Sequence, residues 1–427
     1  MNTTAAVSWK NVSFADVFEQ ISTTGKHVKT AGLPSSGTYP VIDQGQARFA
    51  GFLDSADLAI FSNSPIIIFG DHTRAVKWVD SPFVPGADGV KVLKPNALVD
   101  SRFFYHQLRN LRLEDKGYAR HFKQVRDATY LLPPLQEQKR IAQTLDALLA
   151  QVDTIKARID AIPPLLKRLR SSALSSAIDG HLFGEATADW QTVVIEDLIE
   201  DSLIGLVRSA VDQSDDIRGL HPYLKMSNIN QDWGFNSEKL VGVKASEEEL
   251  LRFELRKGDW LFNTRNSIEL VGKSCVWRGE PGFLYNNNIL RIRFNKRALP
   301  DFMEIWFRSP KGKANLSKIK SATTSVAAIY QKSFMKQEIN LPGINEQREI
   351  VRRVEQLFEV VDQLEAKVAA AKKRIDTLTQ SILSKAFRGE LVPQDPNDEP
   401  ASVLLERIRA QRVAIPKPKR GRKAASN

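Results

Sequence analysis

Apolar residues recur at alternating steps of three and four along two stretches of the chain. The first series comprises Ile141, Leu145, Leu148, Val152, Ile155, Ile159 and Ile162, and the second comprises Ile350, Val354, Leu357, Val361, Leu364 and Val368. This spacing is typical of a helix with a coiled-coil seam. A helix over residues 135–178 would be roughly 65 Å long, which is longer than a small domain is wide. We therefore expect each stretch to act as a spacer or to pack against another long helix.

The two helices should differ in continuity but end alike. Gly180 and Gly389 stand where the two patterns stop, and glycine readily adopts the left-handed conformation that ends a helix. Pro163-Pro164 should kink or break the first helix, because proline lacks the N–H that a helix interior needs. The second stretch has Lys372-Lys373 at the matching positions, so its helix should be continuous.

Both helices belong to an internal repeat. The segment from Leu132 to Leu182 returns 209 residues later, from Leu341 to Leu391, without a gap. Of its 51 positions 17 are identical, whereas unrelated sequences would share about three. Each copy opens with the motif Leu-Pro-x-x-x-Glu-Gln-x-x-Ile. The chain is therefore a tandem duplication.

The segments that precede the helices correspond more weakly. The pattern Trp-x2-Val-x3-Asp begins at Trp9 and again at Trp190, a shift of 181, so the second segment is 28 residues longer. Both segments mix β-type runs, such as 64–69, 259–262 and 289–294, with helical patterns at about 100–112 and 300–316. We predict a mixed α/β protein with five regions: a globular domain at 1–131, a helical spacer at 132–182, a second globular domain at 183–340, a second helical spacer at 341–391, and a C-terminal segment with a basic tail at 392–427.

The charge of the chain is informative only where it is local. Lys and Arg number 61 against 50 Asp and Glu, a net charge of +11, but residues 392–427 alone contribute +4. Residues 305–337 contain seven basic residues and no acidic one, and residues 102–126 contain seven basic and two acidic. A basic run is usually a solvated face. Because these two runs recur just ahead of the duplicated motif, we favour contact with the phosphates of a nucleic acid.

Reading of bases requires side chains that can make paired hydrogen bonds, chiefly Arg, Lys, Asn and Gln, and several lie on predicted loops. Any one of them could instead be a turn residue that caps its own backbone. As sets they are candidates for DNA contact, and we select Arg74, Lys77, Arg120, His121, Lys123, Lys225, Asn228, Arg265, Asn266, Lys273, Asn287, Lys313, Lys318, Lys320 and Thr324.

Signals of catalysis, secretion and membrane insertion are missing from the sequence. The chain has no P-loop, no G-x-G-x-x-G and no His-Glu-x-x-His pattern, and its single cysteine, Cys275, excludes a disulfide framework. No apolar stretch reaches the roughly 18 residues that a membrane span needs, and the N-terminus lacks a signal-peptide pattern. We expect a non-enzymatic, cytoplasmic protein with no cofactor or metal of its own.

Taken together, the residues resemble the specificity subunit of type I restriction-modification enzymes. The resemblance covers nearly the whole chain and rests on the duplicated motif, on the helix endings around Leu174 and Leu383, and on the segment Leu391 to Pro400. The run from Gly258 to Ser267 looks like a recurrent type of recognition domain. One departure is Gly343, which replaces the second proline of the first motif copy.

The resemblance implies a fold and a set of partners. Each globular domain would be a target recognition domain that reads one half of a bipartite sequence in double-stranded DNA. The helices would pair as an antiparallel coiled coil related by a pseudo-two-fold axis, as a duplication also suggests. Two modification subunits would dock on this rod with S-adenosylmethionine, and restriction subunits would add ATP- and magnesium-dependent translocase and nuclease activity. Adenine methylation and DNA cleavage would then belong to the partner subunits.

Two other functions are compatible with parts of the pattern. A coiled-coil scaffold could organise a protein assembly without binding a DNA sequence, and an undetected nuclease or methyltransferase could lack the usual motifs. DNA binding that weakens steeply with salt would separate the first of these from a DNA-recognition subunit.

Overall fold

The polypeptide forms two structural units. A computed structural model describes residues 9–86, 89–114, 119–181, 190–230, 234–322 and 326–414. Unit 1 comprises Met1–Ile159 together with Ala370–Asn427, and unit 2 comprises Asp160–Ala369. Both units contain β-sheets and helices, which agrees with the predicted mixed α/β class.

Unit 1 begins with short strands and ends its first segment with a long helix. In chain order its elements are β1 (Lys10–Ser13), α1 (Phe14–Val17), β2 (Phe18–Ile21), β3 (Tyr39–Ile42), β4 (Gly51–Leu53), β5 (Ile66–Gly70), β6 (Val76–Val79), β7 (Val84–Pro85), β8 (Val90–Pro95), α2 (Ser101–Arg109), α3 (Phe122–Asp127), β9 (Thr129–Leu132) and α4 (Leu135–Asp160).

Unit 2 repeats this plan with additional strands. Its elements are α5 (Ile162–Ile178), β10 (Gln191–Val194), β11 (Ile199–Ile204), β12 (Gln213–Ser214), β13 (His221–Leu224), β14 (Val241–Val243), α6 (Glu247–Phe253), β15 (Trp260–Asn263), β16 (Arg265–Asn266), β17 (Ser274–Val276), β18 (Leu284–Tyr285), β19 (Ile289–Phe294), α7 (Pro300–Arg308), α8 (Pro310–Lys318), β20 (Lys320–Ala322), β21 (Ala327–Ile329), α9 (Gln331–Met335), β22 (Glu338–Leu341) and the start of α10 (Ile344–Ala386). Short 3-10 helices lie at Ile195–Leu198, Ala210–Asp212 and Met226–Asn228.

The sheet topology of unit 2 matches that of unit 1 strand by strand. The antiparallel order β2-β8-β5-β6 corresponds to β11-β19-β15-β17, and the pair β1-β9 corresponds to β10-β22. The parallel pairing of β3 with β7 returns as the parallel pairing of β13 with β18. Unit 2 adds β12 and the sheet β16-β21-β20, which agrees with its longer sequence. The globular domains are therefore duplicated together with the helices.

The long helices begin and break as the sequence predicts. Helix α4 ends at Asp160 and α5 begins at Ile162, so the chain breaks its first helix just before Pro163-Pro164. Helix α10 is continuous over 43 residues and passes from unit 2 into unit 1 at Ala370. Gly180 and Gly389 have φ of +75° and +73°, the left-handed conformation expected after a helix end.

The first part of each apolar seam packs into a domain core. Ile141 and Leu145 belong to the core of unit 1, and Ile350 and Val354 belong to the core of unit 2. Burying such side chains stabilises each unit by about 1.5–3 kcal/mol per residue. The later position Ile155 is 48% exposed. Pairing of the helices as a coiled coil stays a prediction.

The C-terminal helix completes the core of unit 1. Helix α11 (Ala401–Ala414) inserts Leu404 and Ile408 into the same cluster as the strands of unit 1. The Arg412 guanidinium lies 3.2 Å from the carboxylate of Asp16 at the start of α1. Burial acts to raise the pKa of Asp16, but hydrogen bonds from Ser13 and the charges of the nearby arginines outweigh it and leave the pKa below its usual value.

None of the helices formed by the described residues is both long enough and apolar enough to cross a membrane.

We expect α11 to be required for the stability of unit 1. Replacing Leu404 or Ile408 with alanine should lower the free energy of unfolding of unit 1 by about 2–5 kcal/mol, because each change leaves a cavity in a closed core. Amide hydrogen exchange in β1 and β9 would measure this loss, while exchange in β10 and β22 should be unchanged. The control is Val413→Ala, since Val413 on the same helix is 86% exposed. Equal protection of β1 in all three variants would contradict the prediction that Leu404 and Ile408 stabilise unit 1.

Candidate nucleic-acid interface

A cavity of about 490 Å³ in unit 2 gathers basic side chains from distant parts of the sequence. Its charged lining residues are Lys167, Glu269, Lys273, Arg308, Lys313 and Lys320. Five of these six are basic, so the cavity attracts anions. Three of them, Lys273, Lys313 and Lys320, are predicted DNA contacts that the fold brings together.

A tight turn between β16 and β17 positions Lys273. Gly272 adopts a φ of +89° and donates its N–H to the carbonyl of Asn263 at 2.9 Å. The Lys273 ammonium then donates to the carbonyls of Ile229 and Met226 at 2.5 and 3.3 Å. Burial lowers the pKa of Lys273, and the nearby charge of Arg308 lowers it further. Lys273 therefore holds a neighbouring turn as well as lining the cavity.

The opposite wall of the cavity is formed by α7 and α8. Ser309 caps α8 through its hydroxyl, which accepts the N–H of Gly312 at 3.0 Å. The Arg308 side chain is buried and pairs with Glu304, whose other oxygen accepts the indole N–H of Trp260 at 2.6 Å. Arg308 is thus neutralised within the unit. The remaining excess of positive charge comes from lysines.

The lysines of α8 and β20 differ in how they are held. Lys313 is exposed on α8 and lines the cavity. Lys320 donates from its ammonium to the carbonyl of Ile268 at 2.9 Å, and burial lowers its pKa. Lys318 is exposed on the last turn of α8 but is outside the cavity lining. Thr324 falls outside the described residues.

The predicted base-reading residues of unit 2 lie mostly at its surface. Arg265 is exposed on β16, and the Asn266 side chain accepts the N–H of Ser267 at 2.9 Å. Asn287 is exposed in the turn between β18 and β19. Lys225 is half-buried at the end of β13.

Asn228, another residue selected from the sequence, is buried inside its turn. It is 2% exposed, accepts the N–H of Lys225 at 2.8 Å and donates to the carbonyl of Asn236 at 2.9 Å. Because these bonds lie inside the turn, its position fits the shaping of the turn rather than a contact with a base. This is the outcome that the capping alternative described.

In unit 1 the predicted residues divide in the same way. Arg74 is exposed in the turn between β5 and β6 with a φ of +59°, and Lys123 is exposed on α3. The Lys77 ammonium lies 3.3 Å from Asp43 and donates to the carbonyl of Ala47 at 2.7 Å. Burial lowers the pKa of Lys77, while the charge of Asp43 opposes this shift. Lys77 therefore braces a loop from inside the unit.

His121, also selected from the sequence, is enclosed within unit 1. It is 1% exposed, its Nδ1 lies 3.1 Å from the carbonyl of Asp71, and the Asp71 carboxylate accepts the N–H of Phe122 at 2.8 Å. A histidine so enclosed positions the start of α3 and presents no edge to a ligand outside the unit. Its neighbour Arg120 is exposed and lines a cavity of about 430 Å³ together with Lys91 and His27.

Sequence reasoning missed Lys167 and Lys91. Lys167 lies on α5, far along the chain from the other lysines of its cavity, and nothing in the local sequence distinguishes it from the lysines and arginines around it. Lys91 lies on β8, where its ammonium is 3.6 Å from the carboxylate of Asp71. Only the tertiary fold places either residue beside a cavity.

Metal chemistry finds no support in the residues that the structure describes, since no three His, Cys, Asp or Glu side chains among them are grouped closely enough to hold an ion.

Comparison with known proteins gives a consistent picture. A family model described as the type I restriction modification DNA specificity domain matches residues 6–163 and 188–371. The EcoKI specificity subunit of Escherichia coli K12 is 36% identical over 358 residues, which are 78% of this chain and 76% of that protein. The EcoBI specificity subunit of Escherichia coli is 31% identical over 395 residues, 83% of this chain and 80% of that protein.

A similar fold is found among solved structures. The HsdS subunit from Thermoanaerobacter tengcongensis covers 90% of this chain and 97% of its own, with a TM-score of 0.52 and 19% sequence identity. At that identity the likeness concerns the fold.

We expect the basic cavity to bind phosphates in a way that does not depend on sequence. Replacing Lys313 and Lys320 with alanine should weaken binding of the full chain to every duplex DNA alike. It should also flatten the dependence of log K on log salt by up to about one unit for each phosphate that is no longer neutralised. The control is Lys257→Ala, which removes an exposed charge of the same unit outside both the cavity and the basic run 305–337. An equal weakening in the control would show that total charge, rather than the cavity, controls affinity.

The same titrations should separate phosphate contact from base reading. Arg265→Ala should relax sequence preference in one half-site and change the salt dependence little, because Arg265 is exposed on β16, away from the cavity lining. If instead the lysine changes altered sequence preference and Arg265→Ala did not, the two roles are reversed.

Proposed function

The chain belongs to the type I restriction-modification DNA specificity family, and on that premise we propose that it is the non-catalytic subunit that reads a bipartite target in duplex DNA. The observation that carries this proposal is the duplicated domain. Two sheets with the same strand order each precede their own copy of the same helix motif. Two similar readers with different surface residues suit a target made of two different half-sites.

Each domain combines surface residues for reading with basic residues for holding the backbone. In unit 2 the basic cavity suits DNA phosphates, and Arg265, Asn266 and Asn287 suit base edges. In unit 1, Arg120 and Lys123 suit DNA phosphates, and Arg74 suits base edges. Phosphate contacts would fix the register of each domain on the duplex, and the surface residues would then select the sequence. A protein scaffold has no evident use for such a cavity.

We further propose that the long helices pair antiparallel and form the spacer. Support comes from contacts within each unit. In unit 1, Lys156 of α4 lies 4.0 Å from Asp376 of α10. In unit 2, Arg170 of α5 pairs with Asp362 and Glu365 of α10 and lies over the ring of Phe358. An antiparallel pairing that begins in the core of each domain would separate the two readers by a constant distance.

Exposed apolar residues on the helices support the docking of two modification subunits. In unit 1, Ile155 and Leu378 are 48% and 49% exposed, and in unit 2, Leu364 and Leu169 are 39% and 41% exposed. The duplication relates Ile155 to Leu364 and Leu169 to Leu378, so each unit exposes the same pair of positions. We propose that these recurring residues form part of the surface that a modification subunit covers. Two equivalent surfaces suit two copies of one partner.

The chemistry would reside in these partners. We propose that modification subunits bring S-adenosylmethionine for methylation of adenine and that restriction subunits bring ATP- and magnesium-dependent translocation and cleavage. The specificity chain would only position these partner subunits on the DNA, within a cytoplasmic complex.

The first test separates recognition from chemistry. The purified chain should neither methylate nor cut DNA, and methylation at a bipartite sequence should begin when the modification subunit is added. Incorporation of labelled methyl groups into plasmid DNA measures this. Methyl transfer by the chain alone would falsify the assignment.

The second test treats the helices as a spacer. Inserting four residues, about one helical turn, near both Ala157 and Ala366 should lengthen each helix by roughly 6 Å and shift the preferred spacer by at most about two base pairs. Methylation of a plasmid library with both half-sites at every spacer length measures the shift, with the modification subunit supplied. An insertion near Ala157 alone is the control and should reduce methylation at all spacers. An unchanged spacer in the double insertion would show that the helices do not set the distance.

A further inference from the structure

The glutamine of the duplicated motif makes the same contacts in both units. Gln138 and Gln347 are fully buried. The side-chain oxygen of Gln138 accepts the N–H of Asp100 at 2.9 Å, and its nitrogen donates to the carbonyl of Pro133 at 2.8 Å.

The second copy repeats this arrangement and extends it. The side-chain oxygen of Gln347 accepts the N–H of Leu299 at 2.8 Å. Its nitrogen donates to the carbonyls of Pro342 and Arg297, both at 2.8 Å. Each amide therefore uses its acceptor and its donor on backbone groups, and a side chain without a donor cannot replace it.

These bonds join three parts of each unit. Asp100 and Leu299 are the N-cap residues of α2 and α7, the helices that follow the main sheet of each domain. Pro133 and Pro342 lead from the last strand into α4 and α10. One side chain thus connects a domain helix to the first turn of the long helix.

A second polar contact lies eight residues further along each long helix, about 12 Å away. In unit 1 the carboxylate of Asp146 lies 2.8 Å from Arg102 and 2.7 Å from the buried His106, both on α2. In unit 2 the matching acid is Glu355, 3.5 Å from Arg278, and Arg278 also lies 2.5 Å from Asp301 on α7. The position of the acid is duplicated, although the basic partners are different.

We infer that Gln138 and Gln347 are positioning residues. Together with these acids they fix the orientation of each recognition domain on its own long helix. They thereby determine how narrow a range of spacer lengths the complex accepts. The apolar core already packs each domain against its long helix, and two polar contacts about 12 Å apart along that helix add a preferred direction, because hydrogen bonds and ion pairs depend on geometry whereas apolar burial is non-directional. The inference rests on the proposed reading of a bipartite target.

The two units do not depend equally on their glutamines. In unit 1 the Arg102 and Asp146 side chains are 34% and 38% exposed, and Arg102 also stacks on Trp78 and Tyr105. In unit 2 the Arg278 and Glu355 side chains are 54% and 58% exposed. Exposed ion pairs contribute little. The orientation of the unit 2 domain therefore depends more strongly on Gln347.

The experiment uses the full chain with its modification subunit and a plasmid library in which both half-sites occur at every spacer length. Gln347→Leu should raise methylation at spacers one base pair from the preferred length by at least about fivefold relative to the preferred spacer, because the loss of one hydrogen bond corresponds to about fivefold and this change removes three. Gln138→Leu should broaden the profile less. The control is Gln143→Leu, the same change at an exposed position of α4, and its profile should match that of the unchanged chain.

A second variant avoids disturbing a buried position. Asp146→Ala removes the half-exposed acid of unit 1 from its contacts with Arg102 and His106 and should broaden the profile in the same direction, with the half-site sequences unchanged. The inference is overturned if Asp146→Ala leaves the spacer profile as narrow as that of the unchanged chain, or if either glutamine variant changes the half-site sequence instead of the spacer. If the unchanged complex methylates no bipartite sequence at any spacer, the proposed function fails, and that result is distinct from both.

Discussion

The burial of each long helix in the core of the domain that precedes it is the constraint on which the rest of the structure depends. Ile141 and Leu145 in unit 1, and Ile350 and Val354 in unit 2, are almost wholly removed from solvent. The apolar face of each helix is thus only partly covered. Its first turns stabilise a domain, and Val152 and Val361 further along are also buried, whereas Ile155 and Leu364 are 48% and 39% exposed.

Some structural features recur in both units, and others differ between them. The motif glutamine, the acid eight residues later and the strand order of the main sheet recur in both units. The partners of the acid, the lining of the cavities and the surface turns differ. Because the fold repeats while its surface residues vary, the chain presents two domains of one fold with different surfaces. The repeated glutamines and acids are buried or paired within the unit, whereas the varied positions are largely at the surface.

Many of the strands and helices could be predicted from the sequence, because short stretches of sequence encode them. The β-type run at residues 289–294 coincides with β19, and the run at 64–69 overlaps β5. The break before Pro163-Pro164 follows from the chemistry of proline. The helical pattern at 300–316 forms two helices, α7 and α8, because Ser309 is extended and caps the second.

The candidate site was less predictable, since its residues are joined by tertiary structure. The sequence grouped the lysines of α8 and β20, but it carried no sign that Lys167 would line the same cavity. It also could not separate polar residues that face outward, such as Arg265, from those that hold turns, such as Asn228.

Two half-buried lysines of the cavity, Lys273 and Lys320, show how this fold can favour an anion. Burial lowers the pKa of Lys273 and of Lys320, because an ammonium group loses hydration that backbone carbonyls replace only in part. An anion in the cavity would favour the charged forms and raise both pKa values again. In the proposed DNA complex, a phosphate in the cavity would therefore stabilise the charge of both ammonium groups.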